Sequence, residues 1–188
     1  MKEIVRDRIV FEESGGGVTF SGGEPLLQPE FLLAMLAACR SERIHTTVDT
    51  CGYAKPETFL PVCELTDLFL FDLKLINAKR HRQYTDAGNN MILENLRCVT
   101  GMAKSVIVRI PVVPGVNDDQ GNIGVTMNFL ETAGVLNVDL LPYHETGQEK
   151  YRRLESESPM KFTVPTENQM QGLCDKFAAR GFVVRIGG

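Results

Sequence analysis

The stretch Leu68-Phe69-Leu70-Phe71-Asp72-Leu73-Lys74-Leu75 decides how this chain folds. Its apolar residues are nearly continuous up to Asp72, where a half-exposed strand would alternate. That pattern predicts a parallel strand buried on both faces, with two charges entering at its C-terminal end.

Working outward, short apolar or β-branched runs alternate with helical patterns. Upstream, Val18–Phe20 and Ile44–Asp49 read as strands. Between them a helix is predicted over Gln28–Arg40, with Pro29 in its first turn and Phe31, Leu32, Met35, Leu36 and Cys39 as its apolar stripe. A helix near Pro56–Glu64 is interrupted by Pro61. Downstream, Ile92, Leu93, Leu96 and Val99 mark a helix, and Ser105–Val113 a strand. Asn117 and Asp118 are candidate caps for a helix carrying Ile123, Met127 and Leu130 that Gly134 ends. Val135–Tyr143 and Phe182–Ile186 read as the last strands. The polar residues 146–164 read as a loop, and Thr166 with Gln169 opens a final helix as a capping box. Five or six strands alternating with helices define an α/β fold with a parallel sheet.

Composition narrows the function classes. At 188 residues the chain reads as a single domain over 1–188, with enough apolar residues for a real core. A net charge of -4 argues against a nucleic-acid or anionic-membrane partner. No apolar run approaches the ~20 residues of a membrane span, and the N-terminus lacks the apolar core of a signal peptide, so a cytoplasmic location is expected. The five cysteines, Cys39, Cys51, Cys63, Cys98 and Cys174, are odd in number and far apart. That spacing fits neither a disulfide framework nor a local metal site, and core packing is their plainest reading.

Strand side chains alternate faces, so polar residues sharing one face near the C-terminal strand ends can be read directly. The series are Val18–Phe20–Gly22–Glu24, His45–Thr47–Asp49, Leu70–Asp72–Lys74, Ile107–Arg109 and Val138–Leu140–Pro142–His144. Taken alone, His144 reads as a satisfied loop histidine, Asp72 with Lys74 as a surface ion pair, and Arg109 as a snorkelling side chain. Five such coincidences at one rim point to a ligand site, the usual place in barrel-like α/β folds. Gly22 and Gly23 let backbone approach a ligand, and Glu24 is suited to accept from an ammonium group.

Longer strings carry a resemblance. Gly15–Phe31 (GGGVTFSGGEPLLQPEF), Val48–Tyr53 (VDTCGY), Phe69–Lys74 (FLFDLK), Val108–Asp118 (VRIPVVPGVND) and Leu140–Tyr151 (LLPYHETGQEKY) occur in this order. Together they resemble the activating enzymes of glycyl radical enzymes, the pyruvate formate-lyase activating enzyme among them, in the radical S-adenosylmethionine superfamily. The resemblance implies a partial (β/α) barrel, here without its first strand. It implies S-adenosylmethionine bound by Gly22, Gly23 and Glu24 at its amino group, by Asp49, Lys74 and Arg109 at its methionine end, and by His144 at the ribose. It implies a monovalent cation near Asp49, Thr50 and Asp72. The partner implied is a glycyl radical enzyme, and the electron donor a flavodoxin or ferredoxin.

In that family a reduced 4Fe-4S cluster cleaves S-adenosylmethionine, and the resulting radical takes a hydrogen atom from a glycine of the partner. The cluster is held by C-x-x-x-C-x-x-C, which this sequence lacks. Two expectations follow: a C-terminal part of an activating enzyme, or a non-catalytic protein that keeps S-adenosylmethionine binding or partner docking. An unrelated barrel enzyme using Asp72 and Lys74 as acid and base is a third, and it would need neither cluster nor reductant.

Overall fold

The computed structural model describes residues 1–144 and 162–187. Six parallel strands form one sheet in sequence order: β1 (Gly17–Phe20), β2 (His45–Thr50), β3 (Leu68–Asp72), β4 (Ser105–Val112), β5 (Asn137–Pro142) and β6 (Val183–Ile186). The sheet is not closed, and β1 and β6 are its two edges. Sequential parallel neighbours joined by helices give the α/β barrel-type arrangement expected from the alternating pattern.

Among the described residues the helices are α1 (Lys2–Arg6), α2 (Arg8–Ser14), α3 (Pro29–Ser41), α4 (Pro56–Leu65), α5 (Ala78–Thr85), α6 (Asn90–Gly101), α7 (Gln120–Thr132) and α8 (Glu167–Ala179). Neither α1 nor α2 has a buried residue, so no apolar stripe announced them. Polar α5 was equally silent, and it is nucleated by Asn77 accepting from Arg80 N at 3.0 Å. Pro61 is accommodated inside α4, which Phe59, Val62 and Cys63 hold against the core. The cap of α7 is Asp119, which accepts from Asn122 N at 2.9 Å, not Asn117 or Asp118. Asp118 instead accepts from Gly115 N in the preceding turn.

Register shows which face holds the core. Val48, Phe69, Val106, Phe71, Val108, Val138, Ile110 and Leu140 pair across neighbouring strands, and all are buried. They share one apolar cluster with Leu36 of α3, Phe59 of α4, Leu96 of α6, Leu130 of α7 and Phe177 of α8. On the opposite face Asp49, Leu70, Asp72, Ile107 and Arg109 are only partly buried. The expectation that β3 is buried on both faces is therefore corrected: an apolar run cannot tell a helix-covered face from a barrel-type inner face of leucines.

Candidate functional site

At the C-terminal ends of β1 to β4 lies a cleft of about 310 Å³, lined by Ser21, Gly22, Gly23, Glu24, Asp49, Thr50, Cys51, Asp72, Lys74 and Arg109. Chain direction makes this convergence: parallel strands end on one side, and each turn there carries a polar side chain. Gly22 sits at φ 131°, where an L side chain is strained, and so lets the chain turn from β1 into the 3-10 turn Pro25–Leu27.

Glu24 caps that turn and fastens it to β2. Its Oε1 accepts from Thr50 Oγ1 at 2.6 Å and from Leu26 N at 3.2 Å. Its Oε2 accepts from Cys51 N and Cys51 Sγ, both at 3.0 Å. Those four donors match the roughly four lone-pair sites of a carboxylate. Burial first, then the hydrogen bond to Glu24, pushes the Cys51 thiol up to about 11. The turn beyond is fixed from the core: Gly52 has φ 69°, and a Cβ there would meet the Phe71 ring at 2.2 Å. Asn95 Nδ2 donates to both Gly52 O and Ala54 O at 2.8 Å.

Arg109 lies between two carboxylates. It donates to Asp49 through Nη2, and to Asp72 Oδ1 through Nε at 3.0 Å and Nη2 at 2.8 Å. Lys74 Nζ stands 3.7 Å from Asp72 Oδ2. Burial pushes the Asp49 carboxyl above its ordinary range; Arg109 opposes this, and Asp72 and Glu24 add to it. Three carboxylates face two cations in the cleft, leaving one negative charge in excess.

Six of the seven residues expected to bind the cofactor, Gly22, Gly23, Glu24, Asp49, Lys74 and Arg109, thus share one cleft. His144 lines a separate cleft of about 550 Å³ with Pro142, Val164 and residues of α8. The alternation placed Val18 and Phe20, and Val138 and Leu140, on the site face; instead Phe20 is in register with buried Val48 and packs on the helix-covered core, Val138 and Leu140 lie fully buried there, and Asp139 is in register with Arg109. The parity was counted from the apolar residues, and buried Asp139 broke it. Of the residues expected at a monovalent cation, Asp49 and Asp72 already share the Arg109 guanidinium, and the Thr50 hydroxyl is directed to Glu24. The last part of the Leu140–Tyr151 string lies outside the described residues.

The cysteines do not fit an iron–sulfur cluster. Cys39 and Cys63 are buried under the helices, and burial pushes their thiols up, Cys63 to about 12. Cluster iron needs several converging thiolates. Among the described residues, no three His, Cys, Asp or Glu side chains converge as metal ligands. No helix among the described residues is long and apolar enough to cross a membrane.

Sequence reasoning missed Asn95 and Ser21. Asn95 was detectable, as a polar residue on the stripe of Ile92, Leu96 and Val99.

Comparison with known proteins assigns the class this fold and cleft define. Residues 1–123 match the radical SAM superfamily, and the chain belongs to it. Within that superfamily its relatives are activating enzymes of glycyl radical enzymes. It is 40% identical to the trans-4-hydroxy-L-proline dehydratase activating enzyme of Clostridioides difficile, over the whole of this chain and 64% of that protein. It is 34% identical to the pyruvate formate-lyase 2-activating enzyme of Escherichia coli K12, again over 100% of this chain and 64% of the relative. A crystal structure of a domain of pyruvate-formate lyase-activating enzyme from Bacteroides vulgatus matches with TM-score 0.77 and 36% identity, covering 92% of this chain and 99% of that one. The chain therefore spans less than two thirds of the curated relatives it matches.

Proposed function

We propose that the cleft at the ends of β1 to β4 binds S-adenosylmethionine, and that the chain contributes this part of a glycyl-radical-enzyme activating enzyme. The observation that carries this reading is the charge pattern: an excess of carboxylate beside two cations suits a ligand with a sulfonium, an ammonium and a carboxylate. Lys74 is exposed enough to pair with the ligand carboxylate. Glu24 has its acceptor positions filled, so a ligand ammonium reaches it by displacing Cys51 Sγ–H, the weakest of its donors. The reaction of the complete enzymes would be reductive cleavage of S-adenosylmethionine, passing a radical to a glycine of a partner such as pyruvate formate-lyase or a dehydratase. The electron would come from a flavodoxin or ferredoxin. No step through a cluster is assigned to this chain, because its cysteines do not fit one.

Calorimetric titration of S-adenosylmethionine into the chain tests the reading. One saturating site is expected, weakened by Lys74→Met and by Glu24→Gln. Absent binding, or binding untouched by both substitutions, would overturn it. The misfit of the cysteines favours a second reading, a protein that binds S-adenosylmethionine without cleaving it. It predicts saturable binding and no 5'-deoxyadenosine after incubation with a strong reductant.

A further inference from the structure

The string Val108–Asp118 supplies Arg109 to the cleft, yet its Asn117 has no place in the reading above and does not cap α7. Asn117 is 3% exposed, and its side chain is fully used. Nδ2 donates to Lys74 O at 3.0 Å and to Pro111 O at 2.6 Å, and Oδ1 accepts from Val113 N at 2.8 Å. One carboxamide thus ties the chain leaving β3 to the end of β4.

The segment it grips runs past the end of β3 and is anchored by the buried side chains of Leu73 and Leu75. Beyond Asp72 the strand ladder ends, with Leu73 N still donating to Arg109 O at 2.9 Å. The next three carbonyls turn inward and are met by two buried asparagines. Asn117 takes Lys74 O, and Asn89 Nδ2 takes Leu75 O at 2.9 Å and Ile76 O at 2.7 Å. A buried carbonyl without a donor costs about 1–3 kcal/mol, so these amides, with the buried Leu73 and Leu75, set where the backbone at Lys74 lies. The planar two-donor fork of asparagine spans two carbonyls, whereas aspartate would set oxygen against oxygen.

We infer that Asn117 is a positioning residue for Lys74: it fixes the backbone from which the ammonium group reaches the ligand carboxylate. The inference rests on the reading of the cleft as an S-adenosylmethionine site, and the test separates the two. In the whole chain, Lys74→Met and Asn117→Ser should each weaken S-adenosylmethionine binding about tenfold. The double variant should bind no more weakly than Lys74→Met alone, because Asn117 acts through Lys74. A merely structural role predicts losses that add in the double variant, and that result would overturn the inference. A second readout needs no ligand: acylation of each lysine by an acetyl succinimidyl ester, followed by mass spectrometry. Asn117→Ser should raise the Lys74 rate several-fold while Lys55 and Lys104 keep theirs. An unchanged Lys74 rate overturns the positioning role whether or not S-adenosylmethionine binds. A raised Lys74 rate in a chain that does not bind S-adenosylmethionine sustains the positioning role and sinks the reading of the cleft. Should Asn117→Ser fail to fold, Asn117→Gln, which keeps both donors but displaces them by one methylene, is read in the same two assays.

Discussion

At the β2–β4 side of the sheet Arg109 is shared by Asp49 and Asp72, and all three side chains are 18–28% exposed. At the β5–β6 side the arrangement is reversed: the carboxylate of Asp139 is 4% exposed, and its partner Arg185, directly in register, is 64% exposed. Arg185 Nε meets Asp139 Oδ1 at 3.0 Å, with Nη2 at 3.4 Å from Oδ2. The four residues Asp72, Arg109, Asp139 and Arg185 are neighbours across β3 to β6, so one row of alternating charge crosses the inner face. Its two halves differ in what each charge is available to do. In the first half cation and carboxylates are alike partly exposed at the cleft, whereas in the second a buried carboxylate holds an exposed cation in place.

The largest expected effect breaks the first half at its base. Gly52→Ala puts a methyl group 2.2 Å from the fully buried Phe71 ring at a left-handed φ of 69°. Overpacking and backbone strain together should cost roughly 3 kcal/mol or more, seen as a drop in the urea midpoint with loss of ligand binding. An unchanged midpoint would mean that the ring has room to yield and that the Cys51–Tyr53 turn is not set from the core.

The next pair compares the halves directly. Arg185→Gln leaves the buried Asp139 without its counter-charge and should cost about 2 kcal/mol, reduced from the fully buried case because water reaches this edge. Arg109→Gln leaves Asp49 without its counter-charge and Asp72 with Lys74 alone, and should cost about 1 kcal/mol, with a clear loss of ligand affinity. Urea unfolding and calorimetry on both variants check the ordering. Equal stability losses, or a loss of S-adenosylmethionine affinity in Arg185→Gln, would erase the distinction between the halves.

The same contrast explains what was legible in the sequence. Asp49, Asp72, Lys74 and Arg109 were found because polar residues interrupt apolar runs at strand ends, a period-two signal that tertiary packing leaves intact; Glu24 reaches the cleft through the turn at Gly22, since Phe20 of its series faces the helices. The inner position of Asp139 was hidden because it lies between Val138 and Leu140, and the apolar neighbours on the helix-covered face set the counted parity. The sheet was legible from β3 and β4, whereas α1, α2 and α5 carry no buried stripe or a nearly polar one. Asn89, Asn95 and Asn117 act on carbonyls of other segments, 13 to 43 residues away for most of their bonds, and no local pattern reports such partners.

A smaller effect concerns Cys51, whose thiol is pushed up by burial and by Glu24. Glu24→Gln removes the carboxylate charge while keeping an acceptor, so the thiol should titrate lower. Alkylation of Cys51 by iodoacetamide at mildly alkaline pH should then quicken several-fold, since the thiolate is the reactive form. An unaltered rate would show that burial alone holds the thiol protonated.

The smallest effect is a difference in sign between a carboxylate inside the cleft and one outside it. Burial raises Asp49 above the model-compound value of 3.8, whereas the Arg80 hydrogen bond and the Asn122 amide lower Asp119 below it. The Asp49 contribution to stability is therefore fully present below that value and is lost as pH rises through its folded pKa. The Asp119 contribution is present above 3.8 and is lost as pH falls through its folded pKa. Relative to the unaltered chain, Asp49→Asn should gain stability as pH rises from about 3 to about 6, and Asp119→Asn, which can still cap α7, should lose it. Urea midpoints for the three proteins across that range decide the matter. If both variants drift the same way, net charge governs the acid behaviour of the chain, and the local surroundings of these two carboxylates do not.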